Sequence, residues 1–389
     1  MAMKMRIPHI LFLCSILIFS CTKPHIEIKD KNPITFSVTD YDISVMDTKS
    51  AFLFEDEGDF QNKGESGTMG HGGYFMVTTF HSDSKASFFR DSVIVRYHDD
   101  VTEGVASWRT YYPGTDFPDG SDKIDYSDRG YMSIYWPSDN NKEIDFLAYM
   151  PLQRPENTGG LQRIKTKIDP NSHMKLTDHG AGRNPKFICT GLPTDKTGQD
   201  KAKDFLYAYT PGQSYTETEG QVNLEFQHAF AAVYIKIGWP SGGVTINSFS
   251  FDNIHNTGTF IVKPEDESYW SYSESNALTA LTISDVNLRV PSDIQTGSTL
   301  GPYLVLPQDL ISGQTSLQIV TTSDDQTIGT KSTIYYMDDG NADNGDERWE
   351  PGKKYIYTLA LGSSADYVEV SVKVERWEKI GDGQEIEIK

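Results

Sequence analysis

An acidic segment near the C-terminus carries the side chains best suited to bind a cation. Asp339, Asn341 and Asp343 place oxygen atoms at alternate positions, and Glu350 follows eleven residues after Asp339. Calcium takes about six to eight oxygen ligands, and a looped run of this kind can wrap them around one ion. The flanking residues have the pattern of β-strands rather than of EF-hand helices. The spacing leaves two interpretations: a calcium site, and a solvated acidic loop between two strands.

The N-terminus has the pattern of a secretion signal that ends at a cysteine. Lys4 and Arg6 precede an apolar run over residues 8–20, which is too short to span a bilayer as a helix. The run ends at Ile18-Phe19-Ser20-Cys21, which resembles the lipobox of bacterial lipoproteins. That motif implies a diacylglycerol on the Cys21 thiol and removal of residues 1–20. An ordinary signal peptide cleaved nearby is the alternative.

The other nucleophilic and basic side chains do not form a recognisable catalytic set. Cys14 leaves with the signal, so Cys189 is the remaining thiol, and we expect it to be a buried small hydrophobe. His71 lies in a glycine-rich loop similar to an oxyanion loop, but no Gly-x-Ser-x-Gly accompanies it. His228 alternates with apolar residues and is predicted to be a core histidine. Zinc, redox and nucleotide-binding motifs are absent from the sequence, which predicts that the chain is not an enzyme and needs no cofactor beyond the calcium alternative.

The charge balance restricts the partners. The chain carries 55 acidic and 35 basic side chains, for a net charge of −20. An acidic surface repels phosphate backbones, which argues against nucleic acid as a partner. No second apolar stretch approaches about 18 residues, so attachment to a lipid bilayer is predicted to occur through Cys21 alone.

Short β-strands are the elements that must position these residues. Aromatic residues make up 12% of the chain, and apolar and polar residues alternate in many short runs separated by turn formers. No window has a convincing helical period. The sequence therefore predicts an all-β fold of sandwich type. The predicted strands cover residues 34–38, 93–97, 144–150, 222–230, 233–237, 244–246, 259–262, 303–305, 317–319, 333–337, 355–361, 368–377 and 384–388, with a bulge at Ala231-Ala232.

The length of the chain predicts two folded domains. The best linker lies between residues 238 and 243, where Gly, Pro and Ser interrupt two strong strands. Residues 153–191 are polar and poor in strand signals, and are predicted to form a long loop within the first domain. The predicted organisation is a signal peptide over 1–20, a lipidated tether over 21–33, an N-terminal β-sandwich over 34–238 and a C-terminal β-sandwich with the terminal strands over 244–389.

Several segments occur in an order that is similar to a known family. They are the lipobox, the basic site at Lys49, Asp145-Phe-Leu-Ala-Tyr-Met-Pro151, Phe226-Gln-His-Ala-Phe230, Trp349-Glu-Pro-Gly352 and a late strand ending at Trp377. Over nearly the whole mature chain, this order resembles the fimbrillin family of Bacteroidetes, the Mfa-like and FimA-like lipoproteins of type V pili. The resemblance implies two transthyretin-like β-sandwich domains in tandem, an outer-membrane or cell-surface location, and other fimbrillin subunits as partners.

The resemblance also implies assembly by strand exchange. A trypsin-like protease would cut after Lys49, and the first strand would leave an apolar groove that accepts a strand from a neighbouring subunit. The displaced strand carries Ile34, Phe36 and Val38. Two stretches are candidates for the donor strand, one with Val370, Val372 and Val374 and the other with Ile386 and Ile388.

Alternatives to assembly by strand exchange remain open. Polymerising members of the family carry arginine at the cut, so Lys49 could instead be an exposed loop lysine, with each terminal strand pairing within its own monomer. The chain would then be a non-polymerising surface lipoprotein that binds glycan or a host ligand. The aromatic residues considered for such a surface are Tyr111, Tyr112, Tyr131, Tyr135 and Trp136.

Overall fold

The computed structural model confirms an all-β fold. It describes residues 32–38, 74–88, 93–100, 105–111, 133–150, 173–177, 184–237, 243–263, 268–273, 277–289, 299–337, 347–361 and 368–376. The strands in chain order are Thr35–Val38 (β1), Tyr74–His81 (β2), Val93–Asp100 (β3), Val105–Tyr111 (β4), Ile144–Met150 (β5), Met174–Thr177 (β6), Lys186–Cys189 (β7), Leu206–Gln213 (β8), Gln221–Leu224 (β9), Gln227–His228 (β10), Ala231–Ile237 (β11), Val244–Ile254 (β12), Gly258–Ile261 (β13), Tyr269–Ser271 (β14), Thr279–Ile283 (β15), Leu288–Arg289 (β16), Thr299–Val305 (β17), Ser316–Ser323 (β18), Thr330–Tyr336 (β19), Lys353–Leu361 (β20) and Val368–Arg376 (β21). Two short helices, Lys196–Lys201 (α1) and Tyr215–Thr218 (α2), lie between strands.

A six-stranded sheet forms the centre of the N-terminal part. Its strand order is β10-β8-β5-β2-β3-β4, and the separate pair β1-β9 covers one of its faces. All seven residues of β5 are buried because both faces of this strand are covered. Successive side chains of a strand point to opposite faces. Phe146 and Ala148 thus enter the N-terminal core beneath β1, whereas Leu147 and Tyr149 enter a second core on the opposite face.

Two further sheets enclose the C-terminal core. One has the order β17-β11-β20-β21, and the other has the order β15-β12-β18-β19 with β16 paired to β12. Aromatic side chains fill the space between them, including Phe249, Phe251, Trp349 and Tyr357. The Trp349 indole N–H donates to the Tyr357 hydroxyl at 3.0 Å, which satisfies a polar atom inside this core.

A central core joins strands from the two halves of the sequence. The sheet β14-β13-β7-β6 forms one wall of it, and β7 pairs with β13 across more than sixty residues of chain. Phe187, Phe205, Phe230 and Phe260 lie at its centre, all fully buried. A tandem pair of independent sandwiches does not require such a layer. The division into domains at residues 238–244 remains a prediction. The strand β11 precedes this boundary, but both of its partners, β17 and β20, follow it in the sequence.

Three of the predicted elements differ from the structure. Residues 153–191 were predicted to be a loop but contain β6 and β7, whose partner β13 is distant in sequence. The single strand predicted over 222–230 is divided into β9 and β10, because β9 pairs with β1 while β10 pairs with β8. The register shift of β11 lies between Val233 and Ile235, opposite β17, and not at Ala231-Ala232.

Candidate functional site

The first strand of the described chain lies between two different partners. Residues 32–34 pair with residues 134–136, where the Ile34 N–H donates to the Ile134 carbonyl at 2.8 Å. Residues Thr35–Val38 then run parallel to β9, with Phe36 opposite Val222. Two parallel strands that pair with each other need a long connection. Between β1 and β9 that connection contains the elements from β2 to α2. The strand β1 is therefore an addition to the sandwich and not part of its six-stranded sheet.

The apolar side chains of β1 and of Ile34, the residue before it, close the N-terminal core. Ile34 and Phe36 are 5% and 4% exposed, and Val38 packs against the same cluster. The Phe36 ring meets the rings of Phe75 and Phe146 edge to face, with centroids 6.3 and 6.1 Å apart. The three residues predicted to face a groove do share one face, and we call the surface beneath them the β1 groove.

Gly220 contacts the segment that leads into β1, and sequence reasoning did not identify it as a functional residue. It precedes β9 with a φ of +96°, and a Cβ at this position would lie 3.2 Å from the Pro33 carbonyl oxygen. Its own carbonyl accepts the Thr35 N–H at 2.9 Å and the Trp136 indole N–H at 3.4 Å. The only signal in the sequence was a turn glycine between a short polar segment and a strand. Its contact with Pro33, so distant along the chain, could not be read from that signal.

We expect Gly220→Ala to destabilise the chain more than Gly313→Ala does. Both glycines have positive φ, which strains any residue with a side chain by about 1–3 kcal/mol. Gly313, however, has no atom within 4 Å of the Cβ position, whereas Gly220 faces Pro33. Urea unfolding of both variants measures the difference. An equal loss for both would show that the approach of residues 32–35 to Gly220 contributes nothing to stability.

The strand β21, which contains one candidate donor, is the edge strand of its own sheet and is paired along its whole length with β20. It pairs antiparallel with β20 over nine residue pairs, from Lys353↔Arg376 to Leu361↔Val368. Val370, Val372 and Val374 are partly buried and pack against the C-terminal core. Withdrawal of β21 would expose that core and leave one edge of β20 without its partner.

A buried carboxylate lies near the start of β5, on the face turned away from β1. Asp145 is fully buried and forms an ion pair with Lys85. The Gly212 N–H and the Tyr209 hydroxyl both donate to it at 2.9 Å, and Ser82 donates as well. Burial acts to raise the pKa of Asp145, but these donors outweigh it and hold the pKa below its usual range. Tyr209 has a raised pKa because of its burial and the Asp145 charge, so its hydroxyl stays protonated.

Most of the other predicted site residues lie outside the described residues. These are Cys21, Lys49, Asp339, Asn341, Asp343, Ile386 and Ile388. Glu350 is described; it is exposed, and its backbone N–H donates to the Tyr355 hydroxyl at 2.8 Å. Among the described residues, no group of three acidic, histidine or cysteine side chains is arranged to hold a metal ion. The calcium loop remains a prediction.

The structure also places the isolated cysteine, histidine and aromatic residues. Cys189 is buried in the central core, where burial raises the pKa of its thiol to about 12. The His228 Nδ1 atom lies within hydrogen-bond distance of the buried Asp204 carboxylate, which holds the imidazole ring at the edge of the core. Tyr135 is 37% exposed, but Trp136 is only 5% exposed and fills the N-terminal core, which removes it from any binding surface.

The geometry defines an all-β protein with several packed sheets, and the comparisons identify its family. A family model described as fimbrillin-like matches residues 98–377, more than half of the chain. The chain belongs to the fimbrillin-like family, so it is a fimbrial-type protein of the cell surface and not an enzyme. A comparison with curated proteins finds no match. Within the described residues, no helix is long and apolar enough to cross a membrane.

Solved structures of Bacteroidetes proteins match this chain at low sequence identity. A fimbrial protein from Bacteroides vulgatus is 16% identical, with a TM-score of 0.55 over 89% of this chain and 99% of that one. A candidate cell adhesion protein from Bacteroides uniformis is 16% identical, with a TM-score of 0.45 over 78% and 91% of the two chains. The tip fimbrial protein Mfa3 from Porphyromonas gingivalis is 9% identical, with a TM-score of 0.37 over 78% and 94%.

Proposed function

We propose that this protein is a structural pilus subunit that assembles by strand exchange. In this proposal the precursor is lipidated at Cys21 and attached to the outer membrane. A protease cuts after Lys49 and releases the segment that contains β1, and the β1 groove then accepts a strand from the next subunit. The observation that carries the proposal is the placement of Ile34 and Phe36, which close the N-terminal core from a strand outside its six-stranded sheet.

The β1 groove has the properties that an acceptor needs. Removal of β1 would expose Phe75 and Phe146. It would also free the edge of β9 that pairs with residues 35–38 in the uncut chain. An incoming strand can cover the apolar surface and satisfy the backbone groups at once. Each buried phenylalanine contributes about 1.5–3 kcal/mol by leaving water. The empty groove is therefore a state of high free energy that favours capture of a replacement.

The pairing of β21 favours the terminal stretch as the donor. Val370, Val372 and Val374 would have to leave the C-terminal core before they could enter a neighbour. The stretch with Ile386 and Ile388 alternates apolar and polar residues, as residues 34–38 do with Ile34, Phe36 and Val38. We therefore assign the donor role to residues 384–388 and keep β21 within its own subunit.

Limited trypsin treatment of the chain that begins at residue 22 tests this function. We expect cleavage after Lys49, read as a new N-terminus at Ser50, followed by a ladder of detergent-resistant oligomers. Lys49→Arg should retain both steps, because trypsin cuts after either residue. Lys49→Gln, the matched control, should remain monomeric under the same treatment. Assembly of the Lys49→Gln variant, or cleavage after Lys49 without assembly, would contradict the proposal.

A further inference from the structure

A polar cleft lies beside β8, on the side where its neighbour β10 is short. It has a volume of about 320 Å³, which is at the lower end for small-ligand sites. Two residues of β10 pair with Leu206 and Tyr207, so β8 continues beyond its partner. The lining is mostly polar and consists of Tyr207, Tyr209, Thr210, Pro211, Gln213, Asn223, Glu225, Gln227, Lys263 and Ser268.

Two opposite charges line this cleft without meeting. The exposed Glu225 carboxylate forms no hydrogen bond or ion pair with any described residue. The Lys263 ammonium lies over the ring of Tyr269, 5.0 Å from its centroid, and has no carboxylate partner in the described part of the chain. The lining therefore offers a carboxylate acceptor and an ammonium donor that do not form an ion pair with each other.

The aromatic floor of the cleft is held rigidly. The Tyr209 hydroxyl is anchored on the buried Asp145, and the Tyr207 hydroxyl donates to the Gln227 side-chain oxygen at 3.2 Å. Tyr269 follows the lining residue Ser268 and is 43% exposed, and the Lys263 ammonium covers one face of its ring. Side chains that are already ordered lose little conformational entropy when a ligand binds.

We propose that this cleft binds a saccharide unit. Sugar hydroxyl groups donate and accept at once, so neighbouring hydroxyls can donate to the Glu225 carboxylate and accept from the Lys263 ammonium. The amide side chains of Gln213, Asn223 and Gln227 offer the same dual character around the ligand. Beside the cleft, the face of the Tyr269 ring that Lys263 does not cover can pack against the apolar face of a sugar ring. The site goes beyond the proposed pilus function and does not depend on removal of β1.

Saturation-transfer NMR and calorimetry on the uncut chain from residue 22, with a panel of neutral and acidic disaccharides, test the site. We expect at least one disaccharide to bind with a Kd of about 1 mM or tighter. Glu225→Gln and Lys263→Met should each weaken its binding about tenfold, and Tyr269→Ala provides a third variant on the exposed rim. The exposed residues Glu347 and Lys236 lie outside the cleft, so Glu347→Gln and Lys236→Met serve as matched controls and should bind like the parent chain.

The outcomes separate the cleft from any other surface. Binding that is lost in the cleft variants and retained in the controls, with unchanged thermal midpoints, supports the site. Absence of binding across the panel, or binding that the cleft variants do not alter, overturns it. Because the uncut chain is used, neither outcome depends on whether the protein forms filaments.

Discussion

Phe36→Ala should lower the free energy of unfolding of the uncut chain by about 3–5 kcal/mol. The side chain is 4% exposed and packs edge to face against Phe75 and Phe146, so its truncation leaves a cavity in the N-terminal core. The same variant should be cut faster after Lys49, because a weakened β1 leaves the groove more often. Urea unfolding and the rate of limited proteolysis measure the two effects.

Ser37→Ala is the control for this prediction. Ser37 is the next residue of β1, and its hydroxyl donates to the Asn223 side-chain oxygen at 3.1 Å on the exposed side of the strand. Surface substitutions of this kind change stability by about 0.5 kcal/mol or less. If Phe36→Ala and Ser37→Ala had similar effects, the apolar face of β1 would not be what holds it in place.

Asp145→Ala is expected to cost about 3–5 kcal/mol, since it leaves Lys85 and the Tyr209 hydroxyl without their buried acceptor. It also removes the acceptor of the Gly212 N–H. Asp83→Ala is the contrasting control, because the Asp83–Lys142 pair is exposed and such pairs contribute about 0–1 kcal/mol. A loss for Asp145→Ala no larger than that of the control would contradict this account of the cluster.

The Asp145 contribution should also depend on pH in a defined direction. Folding lowers the pKa of Asp145, so as the pH falls the Asp145 carboxylate is protonated in the unfolded chain before it is protonated in the folded chain. The stabilisation is therefore fully present above the unfolded value of about 3.9, and it is lost as the pH falls through the lower folded value. The stability difference between the parent chain and Asp145→Asn should shrink below about pH 4. A constant difference from pH 7 to pH 3 would show that Asp145 does not titrate as the geometry requires.

The alternation of side chains was enough to place the residues of the β1 groove. Ile34 and Phe36 share one face because successive residues of a strand point to opposite sides, whatever the strand pairs with. The partner itself was not predictable, because β1 pairs in parallel with β9 almost two hundred residues away. For the same reason Gly220 gave only a turn signal, although it receives the start of β1.

Long-range pairing also explains why the central core was missed. Residues 186–189 appeared to belong to a polar loop, since their partners in β13 lie beyond the predicted domain boundary. The burial of Asp145 has no counterpart in the sequence analysis, where this residue is only part of the segment Asp145-Phe-Leu-Ala-Tyr-Met-Pro151. Asp145 is buried because Lys85, which follows β2 with a left-handed φ of +54°, and Gly212 from β8 converge on it. Neither the pairing of β7 with β13 nor the approach of Lys85 and Gly212 to Asp145 has a local signal in the sequence.

Strand exchange can be observed directly with a disulfide between subunits. One chain from residue 22 carries Asn223→Cys, on the exposed side of β9 opposite Ser37, and a second carries Glu387→Cys, between Ile386 and Ile388. The native thiol of Cys189 is buried and has a raised pKa, so it does not interfere. We predict that the mixed chains form a disulfide-linked dimer after cleavage at Lys49, and that neither uncut chains nor either single variant alone does so. Absence of the link after cleavage, or an equal amount without cleavage, would show that the β1 groove does not receive the C-terminal strand of a neighbour.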